Sequence, residues 1–443
     1  MARIYPFRAL RYNPSLVRLE DVVTQPYDKI TPAMQQAYYQ RSPYNLVRII
    51  LGLPELFDGK GEQDVYHRAA RDFADWRREG ILTQESEPCV FAYSQRFALP
   101  GSKTLCERRG FIALGELYDY SADVIFRHEQ TLSRPKADRL NLLSATRAHF
   151  GQIFMLYSDP GLSADRLLFE SSAAPDIEVT DEYEVVHRVW RISEPGTINL
   201  LTTALEDKKL IIADGHHRYE TALQYARKHA PPESDQSTER NPSSAPQPPY
   251  PEAATMMNFV NMDREGLVIL PTHRVIHGLA GFNPAAFISS LRPYFSVEPL
   301  AIDTPEALTA RLRIIQDTTA FIAVTSAGKF LLTAIPGASK AAVENFSERL
   351  RSVDAVQLHA LILDKILGLS PEAVALQTNV RYLRDAAEAM EQVARSEAQI
   401  AFLMNPVSLD ELREVAFAGE VMPQKSTDFF PKLLSGLAIY ALD

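Results

Sequence analysis

Apolar residues recur along this chain with two different spacings. In "DVYHRAARDFADWRREGIL" Val65, Ala69, Phe73 and Trp76 stand three or four apart, which predicts an amphipathic helix ending at Gly80. "TPAMQQAYYQRSPYNLVRIIL" predicts another, with Thr31 as its cap and Pro32 at its first position, leading into a strand at 46–51. The period then shortens. "CVFAYSQRFAL" and "RRGFIALGELY" read as strands, and "PGSKT" between them predicts an antiparallel hairpin. Strands are expected at 149–159 and 183–193, a short helix within 194–208, and then the strand "KKLIIAD", which runs directly into a helix.

The segment 231–251 interrupts this pattern with seven prolines and almost no apolar residue, so it reads as a flexible insertion. "TMMNFVNM" and "LVILPTHRVI" resume as strands of the same region. From Gly281 helix and strand alternate to about residue 370. The helix "RDAAEAMEQVARSEA", the strand "IAFLMNP" and a tail, "MPQKSTDFFPKLLSGLAIY", complete the chain. The expectation is a mixed α/β (α+β) fold in two regions, 1–280 and 281–443.

Composition narrows the function classes. An apolar content of 46% and a charged content of 23% over 443 residues are those of an ordinary globular protein. Acidic residues outnumber basic ones, 56 to 46, and the resulting −10 argues against a nucleic-acid groove. Any anion must therefore be held by a local pocket. Cys89 and Cys106 make no disulfide framework and point to a reducing compartment. No stretch approaches about 18 apolar residues and the N-terminus lacks an apolar signal core, so no membrane span and a cytoplasmic location are expected.

The densest candidate chemistry is "LIIADGHHRYETALQYA" at 210–226. A strand that turns through Asp214 and Gly215 into a helix presents unpaired N–H groups and a partial positive charge to an anion. Gly215 permits close backbone approach or a positive φ. Arg218 can fork onto phosphate oxygens, and His216 and His217 can donate to the same anion. Asp214 can cap the helix, orient a histidine or hold Mg²⁺. A helix cap with two exposed histidines is the bland alternative; it accounts for Asp214 but not for its three neighbours. Zinc is disfavoured, because adjacent histidines rarely converge on one metal and no HExxH or cysteine pair accompanies them.

"DGHHRYETA" resembles the Asp-Gly-His-His-Arg box of the ParB/sulfiredoxin superfamily, whose members include free serine kinases, CTP hydrolases and ATP-using repair enzymes. The resemblance implies that Gly215, His216, His217 and Arg218 bind nucleotide phosphates. The cysteine a sulfiredoxin needs is absent, since His216 stands in its place. "YPFRALRYNP", "VVTQPYDKIT", "SPYNLVRI", "DVYHRAARDFADWRREGIL", "RHEQTLSRPKADRLNLL", "IADGHHRYETAL" and "MPQKSTDFFPKLLSGL" fall in order from residue 3 to the C-terminal region. Together they resemble the DUF1015 family. Its members often lie beside serine-biosynthesis genes, which fits a kinase acting on serine. The resemblance implies a ParB/sulfiredoxin-like core in the N-terminal and central segments, followed by a C-terminal α/β region.

Three further clusters compete for roles. In "RHEQTLSRPKADRL" at 127–140 Pro135 breaks any helix, so part of the segment reads as a loop of alternating charges. In it Lys136 and Arg139 can hold polyphosphate oxygens and Glu129 can act as base or metal ligand. A solvated charge run is its plain alternative. In "QPYD", Asp28 follows a rigid turn and competes with Glu129 as the base, against a simple Asx-turn. "MPQKSTDFFPK" lacks the glycines of a Walker box; either Lys425 returns to the site or Phe429 and Phe430 dock into the core. Among the remaining histidines only His273, beside Arg274, attracts a functional reading. The expected function is phosphate transfer from ATP or ADP, with Mg²⁺, to a small hydroxylated metabolite, L-serine being the best guess. The alternatives are a ParB-like nucleotide-binding regulatory switch and a hydrolase of phosphate esters or nucleotides.

Overall fold

Hydrogen-bonded strands sort the chain into two compact units. The computed structural model describes residues 1–53, 63–130, 133–170, 173–232 and 246–443. The first unit comprises Met1–Phe126, Thr131–Leu267 and Pro431–Asp443; the second comprises Arg127–Gln130 and Val268–Phe430. This division falls at Leu267, ahead of the 280/281 boundary expected from sequence. It also interleaves the two units, returning the last thirteen residues (431–443) to the first.

The first unit is built on a nine-stranded mixed sheet. Its strands are β1 (Ile4–Tyr5), β2 (Val90–Ala98), β3 (Leu105–Glu116), β4 (Ile125–Phe126), β5 (Ile153–Tyr157), β6 (Ile177–Thr180), β7 (Val186–Ile192), β8 (Leu210–Asp214) and β9 (Ala254–Asn261). The order is β4-β8-β5-β9-β3-β2-β7-β6, with β1 paired to β3. β2 and β3 form the expected hairpin, in register from Phe91 opposite Ile112 to Ala98 opposite Leu105. β8 is parallel to β4 and antiparallel to β5, whereas β5 is parallel to β9. β5 and β9 are buried along their whole length, as strands covered on both faces must be. Their side chains join a core in which the Phe111 and Phe259 rings stack 5.0 Å apart.

Five longer helices accompany this sheet: α1 (Pro32–Arg41), α2 (Gln63–Arg78), α3 (Ser133–Thr146), α4 (Pro195–Glu206) and α5 (His216–His229). Thr31 caps α1 as expected, its hydroxyl accepting from the Met34 N–H at 3.2 Å. Phe73 and Trp76 of α2 bury against Tyr12, Phe150 and Ile439 in a second core.

Two local expectations fail for identifiable reasons. Residues 46–51 are not a strand: Val47–Ile50 form a helical turn, started by Asn45, whose Oδ1 accepts from the Val47 N–H at 3.0 Å. The stretch around Lys136 and Arg139 is not a loop but α3. Pro135 stands in its first turn, where a missing N–H leaves no helical bond unmade. Most of the expected 231–251 insertion lies outside the described residues.

The second unit carries a six-stranded sheet of β10 (His273–Ile276), β11 (Phe295–Leu300), β12 (Ala320–Thr325), β13 (Gly328–Ala334), β14 (Val380–Leu383) and β15 (Ile400–Leu403). Its order is β11-β13-β12-β15-β10-β14. "LVILPTHRVI" therefore supplies two elements of this unit, the segment Val268–Leu270 pairing with Asp428–Phe430 and the remainder forming β10. Phe429 and Phe430 are both buried, as the core-docking reading of the aromatic pair expects. Among the described residues no helix is long and apolar enough to cross a membrane.

Candidate functional site

The turn between β8 and α5 is the centre of the candidate site. β8 is apolar and buried up to Ala213, then its pairing with β5 shifts register between Ile212 and Asp214. Such a bulge re-aims the residue that follows it. Gly215 next adopts φ 98°, ψ 24°, a left-handed conformation that costs an L side chain energy. Any Cβ there would also meet the Arg218 guanidinium at 3.1 Å.

α5 begins at His216 with no side-chain cap and no acidic residue in its first turn, so its positive end is left for an anion. His216 is buried, whereas His217 and Arg218 are half-buried. The helix is fixed from behind by Tyr219, whose hydroxyl donates to the Tyr118 carbonyl at 2.7 Å and accepts from the Tyr118 N–H at 2.9 Å.

Asp214 does not cap α5. Its Oδ2 accepts from Lys432 Nζ at 3.1 Å, and its Oδ1 lies 3.9 Å from Arg218 Nη2. Burial pushes this carboxyl up, but the charges of Lys432, Arg218 and Lys29 outweigh it and hold the group well below the usual carboxylate range. Arg218 is anchored in turn, its Nη1 donating to the Gln152 carbonyl beside Gly151. Sequence reasoning missed Lys432. Lys425, the lysine that the sequence offers for a return to the site, lies in the second unit with φ 58°.

Lys432 is held by its backbone. Gln95 Nε2 donates to the Lys432 carbonyl at 2.8 Å, and Arg108 Nη2 donates to the carbonyl of Pro431. Arg108 Nε also donates to Gln95 Oε1 at 3.0 Å. Arg108 is fully buried above the Phe154 ring, and that burial pushes its guanidinium down to about 10. The network runs on through His187, whose Nδ1 lies 2.6 Å from the Tyr93 hydroxyl and whose Nε2 lies 3.1 Å from Asp181.

α3 brings two more of the expected residues against α5. Lys136 Nζ donates to Glu220 Oε2 at 2.8 Å. Arg139 bonds Asp138 and the Ile50 carbonyl, and its guanidinium lies 4.1 Å over the Tyr27 ring. Arg139, Arg218, Tyr27, Pro26, Gly151 and Ser435 line a cavity of about 70 Å³. That is far below the roughly 300–1,000 Å³ of sites that enclose a whole ligand, but it accommodates one small charged group. Asp28 is exposed on the short helix Tyr27–Lys29, next to the tyrosine that lines this cavity.

Glu129 belongs to the second unit. Its Oε1 accepts from both the N–H and the hydroxyl of Thr427 at 3.2 Å, while His128 Nε2 lies 2.7 Å from the same hydroxyl. The structure thus groups Asp28, Lys136, Arg139 and residues 214–218 in one unit and Glu129 in the other. Among the described residues no cluster of three histidines, cysteines or carboxylates could hold a metal ion.

A family model described as a protein of unknown function, DUF1015, matches residues 4–356. No curated protein matches. Solved structures similar to the chain include a free serine kinase in complex with AMP and a mutant of a free serine kinase with ADP. Each is 12% identical with a TM-score of 0.34, over 69% of this chain and 84% of that one. A C-terminally truncated SbnI from Staphylococcus aureus is 11% identical with a TM-score of 0.35, over 73% and 85% of the two chains.

Proposed function

We propose that this chain, which belongs to the DUF1015 family, is a nucleotide-dependent phosphotransferase acting on a small hydroxylated metabolite, with free L-serine as the foremost acceptor. One observation carries the reading: an uncapped helix N-terminus follows a bulged strand, and Arg218 reaches from it into a small cavity shared with Arg139. Phosphoryl transfer asks mainly for positioning and for cations around the transferred group. In this reading Gly215, His216, His217 and Arg218 take the phosphates of ATP or ADP, while Arg139 and Lys136 add positive charge from α3. The cavity admits one phosphoryl group, and the rest of the nucleotide lies outside it.

Mg²⁺ would accompany the nucleotide, held largely by phosphate oxygens, because the carboxylates nearest the turn are already paired. Asp214 is engaged by Lys432 and Glu220 by Lys136. Asp28 is our choice for the group that takes the hydroxyl proton, being exposed and adjacent to Tyr27. Glu129, which the sequence offers for the same role, belongs to the second unit, where Thr427 occupies its Oε1.

The test is transfer of label from ATP and from ADP, with Mg²⁺, to a panel of hydroxylated metabolites that includes L-serine. The expected product is a phosphorylated acceptor that disappears with Arg218→Ala in a protein still folded by circular dichroism. Nucleotide binding without any acceptor-dependent product would favour a regulatory switch. Acceptor-independent release of phosphate would favour a hydrolase. Nucleotide binding that survives Arg218→Ala would remove the turn from all three.

A further inference from the structure

A cavity of about 890 Å³ lies within the second unit, walled by Arg274, Arg313, Asp317, Asp354, Glu411 and their neighbours. Arg274 on β10 is 2% exposed. Its Nη1 donates to the Thr272 carbonyl and lies 3.1 Å from the Met404 sulfur, and its Nη2 donates to the Lys425 carbonyl at 3.3 Å. The Tyr382 ring lies 5.5 Å away, and Nε has no partner. Among the described residues no carboxylate oxygen comes within 4.0 Å of this guanidinium. Glu129 and Asp354 act on it only from longer range, and a buried charge without an ion-paired carboxylate is among the costlier arrangements in a protein interior. Burial pushes Arg274 down to about 10, and it faces His359, which burial keeps neutral. A ligand carboxylate would bring a counterion to hydrogen-bond distance, where the protein's own carboxylates do not reach.

Asp354 in the same wall shows the complementary need. Burial and the nearby Glu411 push its carboxyl up to about 7, against hydrogen bonds from Thr319 and the Ala320 backbone and the charge of Arg274. A cation beside it would let it ionise. From Asp354–Gln357 the chain continues into a π-helix at Leu358–Ile366, a form that concentrates at functional sites.

The charges of the wall decide the ligand. Two arginines face three carboxyl groups, so a doubly charged phosphate ester would meet little net attraction. A molecule with one carboxylate and one ammonium complements both Arg274 and Asp354. We propose that this cavity binds a small zwitterion, a free amino acid or a close analogue, with its carboxylate on Arg274 and its ammonium facing Asp354. The volume leaves room for a side chain as well. This assignment does not rest on the phosphotransferase reading.

Titration calorimetry of the full chain tests it with L-alanine, L-glutamate and L-lysine, which carry no acceptor hydroxyl. Acetate, methylammonium and inorganic phosphate serve as partial ligands. At least one amino acid should bind, about tenfold or more tighter than acetate or methylammonium alone. Arg274→Met should weaken that binding by about tenfold or more, as should Asp354→Asn, which preserves shape and decides the matter if the arginine variant does not fold. No binding by any of the three amino acids, preference for phosphate, or binding that survives Asp354→Asn would overturn the proposal.

Discussion

Lys432 and Asp214 form a pair whose partners are 218 residues apart in sequence, and their exposure, 9% and 23% for the side chains, makes the pair energetically significant. Because the Asp214 carboxyl is held well below its ordinary value, it contributes stability that is fully present above the unfolded-state value of about 4. That contribution is lost as pH falls from there through the folded-state value. Lys432→Met removes the cation but keeps the length of the stem, leaving a half-buried carboxylate with Arg218, Lys29 and Arg108 as the cations that act on it. The variant should lose about 3 kcal/mol of stability at pH 7. The gap from the parent should narrow as pH drops below about 4, since a protonated Asp214 no longer needs the lysine. Denaturant unfolding at a series of pH values measures this, and a gap independent of pH would mean that the pair is not what Lys432 stabilises.

At the scale of the element, the β8–Gly215–α5 turn is a strand, a bulge and an uncapped helix joined by one left-handed residue. Gly215→Ala places a methyl group at φ 98° and pushes on Arg218, so it should cost about 1–2 kcal/mol and shift the guanidinium. On the proposed function, the thermal midpoint should fall modestly while nucleotide binding falls much more; equal losses in both would leave Arg218 out of the binding. This turn was legible in the sequence because every clue to it lies within nine residues. The bulge was not, because a register shift depends on the partner strand β5, which is remote in sequence. Residues 46–51 were misread for a related reason: a short apolar run fits strand and helix equally, and only the bond from the Val47 N–H to the Asn45 side chain decides. Pro135 misled in the opposite way, since it breaks a helix interior but suits a first turn.

Across the whole molecule, the least legible feature is the interleaving of the two units. Hydrophobic period assigned β10 and its neighbours to the region before 281 because nothing local distinguishes them from β9. The return of 431–443 to the first unit is carried by long-range contacts that no local pattern encodes. Leu10 and Ile439 exchange backbone hydrogen bonds, as do Thr24 and Ser435, and Tyr440 pairs with His149. Leu433, Leu434, Leu437, Ile439 and Leu442 are all buried. At roughly 1.5–3 kcal/mol for each buried side chain, they rival the whole net stability of about 5–15 kcal/mol of a typical domain. A chain ending at Phe430 should therefore fail to complete the first unit, losing the Lys432 pair along with this core. Calorimetry should then show an unfolding endotherm reduced by the first unit's share, and addition of the 431–443 peptide should restore part of it. An unchanged endotherm in the shortened chain would show that the first unit is complete without its tail, and that Asp214 needs no lysine to be stable.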